Sequence, residues 1–536
     1  MTQLISALLA ALLTLPLAAC TAGQSPSTGG GSQGSAVPTG YTLAQPVYPD
    51  FPQQPQTPGG GGGWDAFFQA QSSYYDAVDR FRGEGIPQDT LQALSDFAAR
   101  STPLAAAGHE GENLVYSPLS LWSALAMLAQ CADHDSRGQL LAALGADSVE
   151  TLQAQVSQVW KGLYTDDGAS ALLLGNSIWL NSAMEGTYVQ ETLDTLAQDY
   201  YAGAYAVPMG SREADEAVTA WVSEQTRGLI GSGGPVVETS ADTLALLASS
   251  LYYKAAWQNE FQASGTYKDT FTAAGGAQSQ VDFMHQTAGG SLLRGDGYQA
   301  AALGTQLGEM VFVLPDEGTS PEELLGREDF LACLDFFGDR VRRGEIQWSV
   351  PKFDVDSELD LLPALEQLGI TDLLSPETAD LSALTSLDAY LSGARQLARV
   401  TADEEGVEAA AVTILTMDAT SAMPDPEPMV MDLDRPFLFV IRCGGVPLFV
   451  GTVQSDCAVT GTTSTGGPPC RAALRFFLQP EQTGGCYPRS WTCIRRSSRC
   501  AQPRFQSRTP AHRMSRAAAG TLPWRKTSSG WDCQYP

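Results

Sequence analysis

Four histidines, His109, His134, His285 and His512, are all the imidazoles that this 536-residue chain offers for acid–base or metal chemistry. None belongs to an H-E-x-x-H pattern, and no His/Cys group has zinc spacing. Neither a G-x-S-x-G elbow nor a G-x-x-x-x-G-K-[ST] phosphate loop occurs. His134, between Asp133 and Asp135, reads as part of an exposed acidic loop, and His285, after "VDFM", as a structural histidine near a strand end. Glu322 and Glu323 stand at a charged helix start, where solvated surface is the default. The expectation is a protein that is not an enzyme and uses no metal and no cofactor.

A different kind of chemistry is written into residues 403–441, "DEEGVEAAAVTILTMDATSAMPDPEPMVMDLDRPFLFVI". The stretch opens on three acids and a glycine, runs through small apolar residues and a proline-spotted segment, and ends as a dense buried strand. Its first half is strand-like in composition yet bounded like a loop.

The elements that must position this segment follow from composition and periodicity. A chain that is 43% hydrophobic can bury a sizeable core, and a net charge of −29 argues against nucleic acid as a partner. Residues 1–20, "MTQLISALLAALLTLPLAAC", carry an apolar run too short to span a bilayer, ending at small residues before a cysteine. The pattern resembles a lipoprotein signal with Cys20 as the lipidated residue, although no Lys or Arg precedes the apolar run. Residues 21–63 are mostly Gly, Ser, Pro, Gln and Thr, and read as a linker reaching on the order of 35–40 Å. An extra helix is expected within 64–88, from "WDAFFQAQSSYYDAVDRF", followed by one mixed α and β domain over 89–456. Within that domain "SPLSLWSALAMLAQCA" reads as a helix capped by Ser117 with Pro118 in its first turn. "LALLASSLYYKAAW", "EMVFVLPDEG" and "IQWSVPKFDV" read as strands, and "LLPALEQLGI" as a helix with Gly369 just past its end.

Seven segments, "NLVYSPLSLWSALAML", "AWVSEQTRGLI", "LASSLYYKAAW", "MVFVLPDEG", "VPKFDVDSELDLLPALEQLGI", "ADEEGVEAAAV" and "RPFLFVIRCGGVPLFVGTV", resemble the serpins in order and spacing, over about 370 residues. The resemblance implies an α+β fold, with helices around a large central mixed sheet, two further sheets and an exposed reactive-centre loop. It also implies an inhibitor that offers a bait bond to a serine protease and, once the acyl-enzyme has formed, inserts the cut loop into the central sheet.

Carried onto this chain, the resemblance makes Glu404, Glu405, Gly406, Val407 and Glu408 the hinge, with Ala409, Ala410 and Ala411 as the small run that slips between strands. Alternation then turns Val407, Ala409, Ala411, Thr413 and Leu415 inward and leaves Glu408 in solvent. Counting along the family's loop puts the scissile bond at Thr420–Ser421, with Met417 and Met423 as alternates, because the loop is several residues longer than usual. No Arg or Lys lies between Val400 and Asp434, so an elastase-, chymotrypsin- or subtilisin-like target is expected. The family's latch beneath the opening sheet maps to Ser117 and Ser120, with Ser249 where an asparagine is usual and Gln396 where a histidine is usual. Gln396 can donate and accept but does not titrate. Val407 replaces the usual Thr or Ser.

Residues 457–536 break the composition, with 12 Lys/Arg against 2 acids and six of the ten cysteines. Three readings stay open for this tail: a disulfide-bearing appendage, disorder, or a shifted reading frame, with the last two preferred. The partner expected is a serine protease held covalently by a monomer, with the membrane reached only through the lipid anchor on the outer face of the cell. The alternatives are inhibition of a cysteine protease, or a non-inhibitory serpin serving as a surface adhesion or structural lipoprotein.

Overall fold

The computed structural model describes residues 37–55, 63–184, 186–231, 234–327, 330–407, 429–455 and the strand Cys470–Pro480. Cys20, Glu408, Ala409, Ala410, Ala411, Met417, Thr420, Ser421 and Met423 lie outside the described residues.

Two sheets organise the body. In the central one the neighbours are, in order, Thr42–Ala44, Ala202–Val207, Ala171–Asn181, Ala245–Ala256, Cys470–Pro480, Ala389–Ala402 and Phe353–Asp360. Ala171–Asn181 and Ala202–Val207 run parallel and the other neighbours antiparallel, so the sheet is mixed. Ala245–Ala256 and Ala389–Ala402 therefore point the same way, with one strand between them. The second sheet contains the 18-residue strand Gln278–Gly295, which pairs with Val341–Pro351, Tyr298–Gly304 and Thr266–Thr272. Its pairing continues through Glu309–Pro315, Phe437–Cys443 and Val446–Val453 to Leu114–Tyr116. The strands anticipated as two further sheets are thus joined into one hydrogen-bonded path.

Ala245–Ala256 is buried at ten of its twelve positions, the signature of a strand covered on both faces. One cover is the helix Pro118–Cys131. Ser117 caps it by accepting from the Ser120 N–H, and Pro118 starts it at no cost in hydrogen bonds. Apolar all round, it packs against Ala245–Ala256 and Val446–Val453, and so ties the two sheets together. On the other side of the central sheet, Trp179, Trp221, Val218 and Leu246 form a second cluster around the helix Arg212–Gln225.

Two parts of the chain depart from the sequence expectation. The linker composition of 21–63 predicts no packed structure, yet residues 37–55 lie on the body. Thr42–Ala44 adds a strand at the edge of the central sheet, and Val37 is buried. Tyr48 stacks on Trp160 at 5.4 Å, and Phe51 meets Phe81 and Tyr164 edge-on. Three aromatic or β-branched anchors are enough, because they fill a surface that already exists rather than building a core of their own. The tail departs too: although residues 457–536 read as disordered or artefactual, Cys470–Pro480 is a strand inside the central sheet. Phe476 and Leu478 are fully buried there, worth about 1.5–3 kcal/mol each in apolar burial.

Replacing both Tyr48 and Phe51 by Ala is expected to lower stability by about 1–3 kcal/mol, from lost aromatic pairing. Urea unfolding measures it; an unchanged midpoint would show that the segment does not bind the body.

Candidate functional site

The site is built where the strand Ala389–Ala402 ends. Its last residues pair with Phe353–Asp360, and a turn at Asp403–Gly406 then swings the chain sideways onto the end of Ala245–Ala256. Gly406 opposes Ala256 and Val407 opposes Ala255. Gly406 has a φ of 148°, and a Cβ there would lie 2.6 Å from both the Ala255 carbonyl oxygen and the Ala256 Cα. Only glycine fits so close to a backbone. Val407 is fully buried, in the main core.

Each residue of the turn is held. The Asp403 carboxylate accepts from the backbone N–H groups of Glu405 and Gly406 at 3.0 and 3.3 Å. Trp257 donates its indole N–H to the Asp403 carbonyl at 2.8 Å, while its backbone N–H goes to the Glu405 carbonyl. Phe261 donates its N–H to the Glu404 carbonyl. Glu404 receives the Lys352 ammonium at 2.6 Å and the Thr266 hydroxyl at 2.9 Å.

The two acids respond in opposite directions. Burial pushes the Asp403 carboxyl up, and the two backbone donors offset this only in part. Burial also acts upward on Glu404, but the bonds from Lys352, its own N–H and Thr266 outweigh it and hold that carboxyl below its ordinary value.

Deeper in the sheet lies the latch. The Ser117 N–H donates to Gln396 Oε1 at 2.8 Å, and Gln396 Nε2 donates to the Ser117 carbonyl at 3.0 Å. The Ser117 hydroxyl lies 3.1 Å from Ser120 Oγ and 2.8 Å from the Leu448 carbonyl. Ser117, Ser120 and Gln396 are all buried and form one network. Ser249 is buried as well but stands one strand away, since Leu474 is opposite both Ser249 and Gln396.

Sequence reasoning gave no role to Lys352, Thr266, Trp257 or Asp403. A lysine between two apolar strand runs in "SVPKFDV" was the available signal for the first. It also missed the tail strand, whose alternation Cys470, Ala472, Leu474, Phe476, Leu478 was legible but lay among irregular cysteines and arginines. The remaining polar residues go elsewhere. His134 opens the helix His134–Leu144 and pairs with Asp380 at 2.8 Å. His285 bonds Gly265 and Ser349 and stacks on Tyr267. Glu322 accepts from the Gly111 N–H and from Gln454 rather than facing water alone.

Residues 92–455 match the family model described as "Serpin (serine protease inhibitor)". The chain belongs to the serpin family. Among its relatives is Serpin-Z1A of Triticum aestivum, 31% identical over 376 residues, covering 66% of this chain and 91% of that protein. Glia-derived nexin of Mus musculus is 27% identical over 357 residues, covering 64% and 87%. Among solved structures, the thermophilic serpin tengpin in the native state superposes with a TM-score of 0.61 at 25% identity, covering 70% of this chain and 96% of that one. Serpins are in general protease inhibitors rather than catalysts, and the α+β fold is theirs. In this serpin residues 408–428 separate the turn from the strand Met429–Asp432, which pairs parallel with Val341–Pro351.

Glu404→Lys, which sets two ammonium groups against each other, is expected to cost about 1.5–3 kcal/mol. The double reversal with Lys352→Glu should regain most of that; a double variant no better than the single removes the pair as the cause. The carboxylate's contribution is present above the unfolded Glu pKa of about 4.3 and is lost as pH falls through its lower folded value. Glu404→Gln should therefore flatten the acid limb of the stability–pH curve. Gln396→Leu would leave the buried Ser117 N–H unpaired and its C=O with only the Leu121 N–H, at about 1–3 kcal/mol, read from the thermal midpoint. Gln396→His should create a pH dependence between about pH 5 and 8 that the parent latch lacks.

Proposed function

We propose that this serpin inhibits serine-type endopeptidases as a suicide substrate. The protease serine attacks the carbonyl of a bond within 417–423, Thr420–Ser421 by count, and expels the amine of the next residue. The acyl-enzyme is then caught as the cut loop joins the central sheet as a new strand. What carries this reading is the hinge: Gly406 and Val407 already form the first antiparallel pairs beside Ala245–Ala256, on the side facing Ala389–Ala402. A chain leaving Val407 in that register would extend between the two strands.

The run Met417–Met423 holds only small, apolar and single acidic residues, which suits the shallow or apolar primary pockets of elastase-, chymotrypsin- and subtilisin-like enzymes and not a pocket built for arginine. Export and lipid attachment at Cys20 complete the proposal, resting on the "LAAC" pattern and placing the inhibitor outside the cell.

Thr420→Arg, or Met423→Arg if the bond lies later, should make the chain a trypsin target that yields an SDS-stable complex. Cleavage in the loop should also raise the thermal midpoint substantially. Neither variant engaging trypsin would overturn the placement of the bond, and no rise on cleavage of a chain whose Phe476 and Leu478 are replaced by Asp, so that Cys470–Pro480 no longer fills the sheet, would overturn insertion.

A further inference from the structure

The strand between Ala245–Ala256 and Ala389–Ala402 comes from the tail. Cys470–Leu478 opposes Tyr253–Ala245 on one side, and Arg471–Pro480 opposes Arg399–Ala389 on the other. The hinge and the tail use the same edge of one strand, end to end. Gly406 and Val407 take Ala256 and Ala255, and Cys470 begins at Tyr253. If the register of the hinge is continued, residues 409–417 meet the residues Tyr253 to Ala245 that Cys470–Leu478 holds. The two segments are therefore alternatives for one place.

The tail segment is fitted to that place on both faces. Phe476 and Leu478 are buried in the main core with Leu391 and Ala394, while Phe477 packs on the opposite side with the Trp179 cluster. The Phe477 ring lies 3.0 Å from where a Cβ on Gly393 would stand, so the neighbouring strand leaves room for it at a bulge between Leu391 and Gly393. Its backbone is held beyond the ladder too: Leu244 donates its N–H to the Leu478 carbonyl at 2.7 Å, and the Ser392 hydroxyl donates to the Phe477 carbonyl at 3.2 Å. The registers that would receive Leu415 and Met417 are those filled by Phe476 and Leu478, apolar for apolar. Polar Thr416 would replace Phe477.

We propose that residues 470–480 are an intramolecular strand that holds the insertion gap of the uncut inhibitor closed, so that trapping of a protease requires the tail to leave. The segment binds through a continuous ladder to Ala245–Ala256, a ladder with one bulge to Ala389–Ala402, and two phenylalanines near its far end. Its displacement frees the whole length that the loop needs. With the tail seated, a cut loop has no place to go, the acyl-enzyme hydrolyses, and the chain behaves as a substrate. The inference rests on the proposed inhibitory function for its consequence, but not for the occupancy itself.

The test uses the full chain and its Phe476→Asp/Leu478→Asp variant, with subtilisin as the protease. Hydrogen exchange on the uncut parent should show the amides of 470–478 about a hundredfold or more slower than in an unfolded chain, with that protection lost in the variant. The variant should trap about tenfold more protease per inhibitor cleaved than the parent. Retained protection in Phe437–Cys443 and Val446–Val453 reports that the variant is folded; Phe476→Ser replaces it if that protection is gone. Free exchange of 470–478 in the parent overturns the proposal, as does equal trapping by parent and variant when both trap. Protection lost in the variant with no complex from either chain upholds the occupancy and overturns the inhibitory reading instead.

Discussion

A sheet interior cannot leave a row of buried backbone groups without partners, and that constraint governs the centre of this serpin. Ala245–Ala256 and Ala389–Ala402 run in the same direction with one strand's width between them. Each already has its other edge occupied, by Ala171–Asn181 and Phe353–Asp360. The strand that lies between is antiparallel to both and apolar enough to be covered by the helix Pro118–Cys131 on one face and the Trp179 cluster on the other. Gln396 and Ser117 fix one wall of this space to the helix beneath it, and the turn at Asp403–Gly406 closes its mouth.

Electrostatics work against the mouth unless they are answered locally. The chain is acidic, and three consecutive acids, Asp403, Glu404 and Glu405, stand at the turn. Burying the first two is tolerable because each has a specific partner: backbone donors for Asp403 and Lys352 for Glu404. Their carboxyls move in opposite directions because two neutral amides answer burial less well than one ammonium.

Much of this was legible in the sequence. The cap at Ser117, the apolar helix after it and the central strand follow from local rules, side-chain capping and apolar run length, whereas the hinge glycine at 406 came through the family resemblance. The partners of the turn were not legible, since Lys352, Thr266 and Trp257 come from three separate stretches of chain that meet only through the sheet. The packing of 37–55 was masked by surrounding glycine and proline, although Tyr48 and Phe51 carry its contacts. The tail strand was hidden by its neighbourhood: alternation over nine residues is a weak signal inside a stretch whose overall charge and cysteine content point away from a core.

The two residues docked at the end of Ala245–Ala256 bear on kinetics rather than on affinity. Bringing distant segments together and choosing their alignment is the expensive step in making any ladder, because entropy is lost before bonds repay it. Here the first two pairs are in place while the chain is intact, so in the proposed insertion growth from Val407 would be elongation from a seed. The seed also removes freedom of alignment: a slip by one residue would turn Glu408 toward the apolar core in place of Val407. On the proposed mechanism, the outcome at this sheet would be a race between growth from a fixed start and the release of the segment that stands ahead of it.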